Sequence, residues 1–309
     1  MSDTNVTSAR TDGEWDHRFD VVVVGSGAGA MIAAICAHDL GQSVVVIEKA
    51  DVYGGTTAIS GGAVWVPCNH QIEAQGGTDS YDDAMNYLMA ATRGIVSEAR
   101  LRAYLEHAPR MVRYLEEKTR MRYRAMPGYS DYYPELPGAK PGCRTMDPVP
   151  FDAAQLAEEF DRLRAPSPGT LIAGRVGMTA GEAHSILAKE RGWMMLVVRR
   201  FANYWLDIRW RRRTRRDRRL TLGNALVGAL RRSMMDRNIP LWLNTALETI
   251  VADGRRVTGI VANQNGKQIR IAAIRGVILG AGGFEHNQAM RDRYLPKPTS
   301  AEWTTTPEF

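Results

Sequence analysis

A run of β-branched residues that stops at a glycine triplet constrains this chain more than any other feature. Residues 19–25 read FDVVVVG, and they open directly into Gly25-Ser26-Gly27-Ala28-Gly29-Ala30. Four consecutive valines suit a strand buried on both faces, as in the middle of a parallel sheet. Residues 31–40 then read as a helix with alanines on a closely packed face, which Gly41 can stop with a positive φ. Residues 43–47, SVVVI, make a second buried strand, closed by Glu48. Strand, glycine turn, helix, strand and acid form one complete βαβ unit. Within the G-x-G-x-x-A spacing, Gly25 allows the tight turn, Gly27 lets backbone approach a diphosphate, and Ala30 keeps the helix against the sheet. The helix N-terminus offers N–H groups and partial positive charge to phosphates. Glu48, at the end of the second strand, is placed to accept hydrogen bonds from ribose hydroxyls, with Lys49 beside it.

A second glycine-rich segment narrows the ligand. Gly54-Gly55-Thr56-Thr57-Ala58-Ile59-Ser60-Gly61-Gly62 follows Glu48 within a few residues. Two glycine doublets flanking small hydroxyl residues let the chain run against a flat ring system. Amide and hydroxyl donors are then available to phosphate and to the edges of an isoalloxazine. A nicotinamide dehydrogenase has no need of this second loop, so the two motifs together point to FAD. The candidate cofactor-binding residues are Gly25, Ser26, Gly27, Ala28, Gly29, Ala30, Glu48, Lys49, Gly54, Gly55, Thr56, Thr57, Ser60, Gly61 and Gly62.

Helices are predicted over 82–93 and 97–118, followed by a loop over 126–147 that carries four prolines and several tyrosines. A loop of that length in a compact domain is usually functional or disordered, and the tyrosines favour function. Residues 193–210 read as a helix with Phe201, Tyr204, Trp205 and Ile208 on one face, and 222–237 as another. The period then changes. Short strands at 241–244, 247–252, 257–261 and 269–273 are punctuated by Asp253-Gly254 and Asn265-Gly266, favoured in tight hairpins. This stretch reads as an antiparallel meander. Residues 275–280, RGVILG, return to a buried strand that ends in Ala281-Gly282-Gly283. The fold class expected is α/β: a Rossmann-like parallel sheet with an antiparallel β-meander.

Composition sets bounds on the rest. At 309 residues and 44% hydrophobic content, the chain can bury one large core or two smaller ones. Cys36, Cys68 and Cys143 show neither metal spacing nor a disulfide framework, so a reducing cytoplasm is the natural setting. Residues 1–18 are polar and read as a loose tail without the apolar core of a signal peptide. The net charge of +6 is local: residues 199–219 hold ten arginines and two aspartates, leaving −2 for the remainder. Nucleic-acid binding is therefore not expected. The arginine-rich segment follows an aromatic helix and has two readings. One is a basic amphipathic helix lying on an anionic membrane. The other, favoured here, is a core-facing helix whose arginines are solvated or paired with acidic groups of a cap domain beyond this chain.

The segment DVVVVGSGAGAMIAAICAHDLGQSVVVIEKADVYGGTTAISGGAVWVP resembles the flavoprotein superfamily of fumarate reductase and succinate dehydrogenase subunits. Within it, PGYSDYYPELPGAKPG and VILGAGGFEHNQAMRDRYLP resemble the 3-ketosteroid Δ1-dehydrogenases. The resemblance implies FAD held by a fold of the glutathione-reductase type, with hydride passing to the flavin from a ring CH while a tyrosine removes the neighbouring proton. The substrate is then a steroid-like ketone, and the electrons leave to an external acceptor. Tyr132 becomes the candidate for assisting proton abstraction and Tyr129 a wall of the substrate pocket. Leu247 is placed at the adenine, and Ala281, Gly282 and Gly283 return a glycine turn to the cofactor. The FAD-binding domain is expected over 19–290 with a helical insertion at about 80–220. Residues 291–309 would begin a substrate cap domain that the chain does not go on to complete, so that it turns over poorly alone. A fumarate-reductase-like enzyme acting on another enone or dicarboxylate, and a non-catalytic FAD-binding remnant, are the alternatives.

Overall fold

The computed structural model describes residues 14–306, which divide into two compact units. The first holds Glu158–Ala165 together with the chain up to Ile59 and from Leu230 onward; the second holds Ser60–Ala157 and Pro166–Ala229. Most of the expected polar tail, and residues 307–309, lie outside the described residues.

Among the described residues the first unit is built on a six-stranded sheet. Its strands are β1 (His17–Val24), β2 (Val44–Ile47), β3 (Leu241–Trp242), β4 (Thr245–Asp253), β5 (Arg256–Gln264) and β6 (Lys267–Leu279). They lie in the order β3-β2-β1-β6-β5-β4. The first four run parallel, and β5 and β4 run antiparallel beyond β6. This is the mixed parallel and antiparallel α/β sheet that the valine runs and hairpin turns predict. Burial of Val22, Val24, Val45 and Ile47 against Ile260 and Ile271 joins the parallel part and the meander in one core. Helix α1 (Ala28–Asp39) begins three residues earlier than the alanine pattern suggests. The reason is local: the Met31 amide donates to the Gly27 carbonyl at 3.0 Å, so the helix opens inside the glycine turn.

Two corrections concern β6. The sequence reads residues 269–273 and 275–280 as separate strands, whereas they form one strand of 13 residues. Its first part pairs with β5, from Gly259↔Ala272 to Gln264↔Lys267, and its last part runs parallel to β1, from Val21↔Gly276 to Val24↔Leu279. The parallel pairing with β1 already begins at His17↔Ile271, and between the pairs Phe19↔Ala273 and Val21↔Gly276 the register gains one residue on β6, a bulge within one continuous strand. The second correction is burial. Ile278 and Leu279 are 37% and 59% exposed, because this end of the strand is the wall of an open cleft. At the hairpins, Asn265 and Gly266 both have positive φ (51° and 85°), as a type I′ turn requires. Asp253 pairs with Arg256, so that turn is made by Gly254-Arg255, one residue later than the Asp-Gly reading.

The second unit contains helices Tyr81–Thr92 and Glu98–Lys118 and a small sheet of Val64–Trp65, Thr145–Pro148 and Tyr123–Ala125. The helix expected over 193–210 is broken at Asp207 into Trp193–Leu206 and Ile208–Arg213. Asp207 leaves helical geometry, and its carboxylate accepts from the Trp210 amide at 3.3 Å. An apolar face drawn through that position therefore fails. Tyr204 and Trp210 are buried, whereas Trp205 and Ile208 are more than half exposed. No helix among the described residues is long and apolar enough to cross a membrane.

Asp147, on strand Thr145–Pro148, is a buried carboxylate with one weak partner, the Ala180 amide at 3.2 Å, and its Oδ1 has no hydrogen bond. Burial pushes its pKa up to about 6. The folded state thus binds this proton more tightly than the unfolded chain, so stability is lost as pH rises from about 4 through 6. We expect Asp147→Asn to stabilise the protein by about 1–3 kcal/mol at pH 8 and to leave it nearly unchanged at pH 4. Urea unfolding at the two pH values checks this; an equal gain at both would refute it.

Candidate cofactor site

An open cleft of about 1130 Å³ lies within the first unit, at the carboxyl ends of β1, β2 and β6. This is where open α/β sheets bind their ligands. The glycine turn forms its floor. Gly25 has φ 98°, and a Cβ there would lie 2.3 Å from the Gly280 carbonyl oxygen, so two backbones meet without side chains between them. Gly280 in turn approaches Ala30: a Cβ on Gly280 would lie 2.7 Å from the Ala30 methyl. Ala30 is small because the end of β6 packs against it. Gly27 differs. Its backbone is extended (φ −68°, ψ 170°), and a Cβ would meet only Thr57 Oγ1, at 3.4 Å.

Ser26 ties three segments together. Its amide and hydroxyl both donate to Glu48 Oε2, at 3.1 and 2.5 Å, and its Oγ accepts from the Gly54 amide at 2.9 Å. Glu48 Oε1 accepts from the Ala50 amide at 3.1 Å. Since a carboxylate oxygen has room for about two donors, Oε1 keeps acceptor capacity towards the cleft. The main chain of Glu48 is clamped as well, donating to Trp242 O and accepting from Thr245 N, both at 2.8 Å. The start of β4 thereby meets the end of β2, and Thr245, Ala246 and Leu247 join the cleft wall beside Glu48 and Lys49.

The second glycine segment is not wholly the loop its composition suggests. Gly55–Ile59 is a short helix, α2, and Thr57 Oγ1 accepts from the Ala28 amide at 3.1 Å. Gly25 to Ala30, Glu48, Lys49, Gly55, Thr56, Thr57, Leu247, Ala281, Gly282 and Gly283 all line the cleft. Gly54 is not in its wall but bonds Ser26. Ser60, Gly61 and Gly62 belong to the second unit, where the Ser60 carbonyl accepts from Gly223 N at 3.0 Å. Sequence reasoning did not single out Gly280, Thr245, Ala246 or Arg164, which also line the cleft. Gly280 was legible in principle, as the glycine ending an apolar run. Arg164 carried no local signal.

Tyr129 and Tyr132 also belong to the second unit, on the proline-rich loop. They are 40% and 77% exposed, with Tyr133 at 53%. The Tyr129 phenol lies above its ordinary value, chiefly because it shares a hydrogen bond with Tyr132. Between them in sequence, Asp131 turns inward to a buried ionic cluster. Its oxygens accept from Trp65 Nε1 at 2.7 Å, from the Lys140 amide at 2.8 Å and from Arg144 Nη1 at 2.8 Å. Arg144 also grips Asp79 through Nε and Nη2, at 3.0 and 2.7 Å. Its guanidinium sits 5.6 Å from the ring centres of both Trp65 and Tyr87.

The cleft fits an extended dinucleotide. It is bare of side chains at Gly27 and Gly29, and one carboxylate in it retains acceptor capacity. Comparison with known proteins agrees. The model of the FAD binding domain family matches residues 20–309. The chain is 43% identical over 286 residues to the 3-oxosteroid 1-dehydrogenase of Comamonas testosteroni, covering 92% of this chain and 50% of that protein. A 3-ketosteroid Δ1-dehydrogenase from Sterolibacterium denitrificans, solved in complex with 1,4-androstadiene-3,17-dione, is 54% identical with a TM-score of 0.90, covering 94% of this chain and 52% of the other. A flavocytochrome c3 fumarate reductase shares the fold at 18% identity and a TM-score of 0.59, covering 91% of this chain and 36% of its own. The chain spans about half the length of the curated relatives it matches. A βαβ unit with its glycine turn, a meander returning to the same cleft and a family match across nearly all described residues lead to one conclusion: the chain belongs to the FAD binding domain family, and its cofactor is FAD.

Proposed function

We propose that the chain is the cofactor-holding part of an oxidoreductase that removes a hydride and a proton across a CH–CH bond next to a ring ketone, with a 3-ketosteroid desaturated at Δ1 as substrate. The observation that carries this reading is the likeness, at 54% identity over 94% of the chain, to a dehydrogenase solved with a dienone steroid. When bound, FAD supplies the hydride acceptor. The chain's own residues do the remaining work in this reading. The turn from Gly25 to Ala30 seats the diphosphate on the N-terminus of α1, while Glu48, Lys49 and Leu247 receive the adenosine. Thr56, Thr57 and Ala281 to Gly283 border the same cleft, with Gly54 fixing Ser26 behind it. Ser60, Gly61 and Gly62 continue the hydroxyl- and glycine-rich segment as donors for the ring system. Tyr129 and Tyr132 offer aromatic surface to an apolar polycycle, and the Tyr132 phenol relays the proton leaving carbon. Electrons leave to an external acceptor. Anaerobic addition of a 3-ketosteroid to the FAD-loaded protein is expected to bleach the flavin slowly, and succinate to have no effect. Bleaching by succinate and not by the steroid would overturn the assignment.

We propose, as a second reading, that part of the arginine-rich segment faces an anionic lipid surface. Several arginines are paired within the unit, Arg219 with Glu182 at 3.0 Å and Arg218 with Asp152 at 2.8 Å. Others, including Arg199, Arg209 and Arg212, are exposed beside Met194, Met195, Val198, Leu206 and Ile208, each more than half exposed. Exposed apolar side chains beside exposed cations suit an anionic lipid surface. The protein is expected to co-sediment with vesicles containing phosphatidylglycerol and to be released by high salt. Equal recovery with purely zwitterionic vesicles would argue against the role.

A further inference from the structure

We infer that Arg164 is a contact for the ADP half of the cofactor, a role that rests on the cleft being the FAD site. Arg164 comes from a part of the chain far from every other wall of that cleft. It reaches the cleft through a parallel bridge between Tyr53 and Leu163. The Tyr53 amide donates to Arg162 O at 2.9 Å, and the Arg164 amide donates to Tyr53 O at 3.0 Å. The Tyr53 hydroxyl donates to the Glu159 carbonyl at 3.0 Å, and Tyr53 and Leu163 are both fully buried. The Arg164 backbone is thus fixed immediately beyond the segment that leaves β2, and its half-buried side chain lines the cleft together with Glu48 and Lys49.

Charge and shape both suit this position. Glu48 is a buried carboxylate required as an acceptor at the end of β2, and a dinucleotide brings two more negative charges with its diphosphate. A fixed guanidinium offsets that accumulation, and it remains charged in a partly dry site where a lysine can lose its proton. Burial draws the Arg164 pKa down while the nearby carboxylates of Glu48 and Asp51 support the cationic form. The guanidinium is also planar, so it can stack on a purine or present a fork of donors to phosphate oxygens. Lys49, which also lines the wall, is exposed, and its ammonium supplies a point charge without a plane or a fork of donors.

The test is titration of the full chain, wild type, Arg164→Met and Arg164→Lys, with FAD and separately with ADP, following flavin fluorescence for one and binding heat for the other. Arg164→Met is expected to weaken FAD and ADP alike by about tenfold, the scale of one charge-assisted contact. Arg164→Lys restores charge without the plane and should retain a loss of about threefold. Melting of the ligand-free variants within a few degrees of wild type confirms that the fold is intact; if Arg164→Met fails to fold, Arg164→Lys decides. Unchanged ADP affinity, or a loss confined to FAD, overturns the role of Arg164 and leaves the FAD site standing. Failure of the wild type to bind either ligand instead removes the FAD site, and the inference with it.

Discussion

Replacing Gly27 with alanine is expected to lower FAD affinity by about a hundredfold while leaving the protein folded. The two expectations separate because, in the proposed site, this glycine faces the ligand while the fold itself leaves room for a methyl group there. Its φ of −68° suits any residue, and a methyl group would sit 3.4 Å from Thr57 Oγ1, an ordinary contact. On the proposed placement of the diphosphate, the same methyl group would project into the space it occupies. Gly25→Ala provides the contrast. At φ 98° and 2.3 Å from the Gly280 carbonyl oxygen, its added carbon has no space, so this substitution should disrupt the turn itself. Flavin fluorescence titration and far-ultraviolet circular dichroism check both. A Gly27→Ala protein that retains wild-type FAD affinity would show that the diphosphate does not sit on this turn.

Arg144→Met is expected to destabilise the second unit by about 3–5 kcal/mol, the cost of stranding buried charge. The side chains of Arg144, Asp79 and Asp131 are each no more than 2% exposed. Without the guanidinium, two carboxylates face each other's field in a dry interior. Arg144→Lys should recover only part of the loss, because an ammonium cannot bond both oxygens of Asp79 and also reach Asp131 in the same geometry. Trp65 is a built-in reporter, since its indole N–H donates to Asp131. Its fluorescence and the urea midpoint should move together, and hydrogen exchange over residues 129–142 should accelerate. A loss below about 1 kcal/mol, the range of an exposed pair, would show that this cluster does not hold the tyrosine loop.

Local chemistry carried much of the fold into the sequence. The valine runs, the glycine spacing and the Asn-Gly turn each act over a few residues. A buried strand, a phosphate-type turn and a type I′ hairpin are therefore legible without knowing what lies across the sheet. Glu48 was legible for the same reason, as the first acid after a buried strand. What tertiary structure alone decided is where distant segments meet. Nothing near Arg164 announces a cleft, because its place depends on a bridge to Tyr53. Nothing near Asp131 in the sequence shows that it turns inward, since its partners Arg144 and Trp65 lie 13 and 66 residues away. Ile278 and Leu279 look like core, and hydropathy does not distinguish a core from the apolar wall of a binding cleft. The helix break at Asp207 was hidden because an aspartate can end one helix and cap the next only when the backbone turns between them. Periodicity and turn propensity are properties of neighbours in the chain, whereas the cleft and the ionic cluster arise from residues brought together by folding.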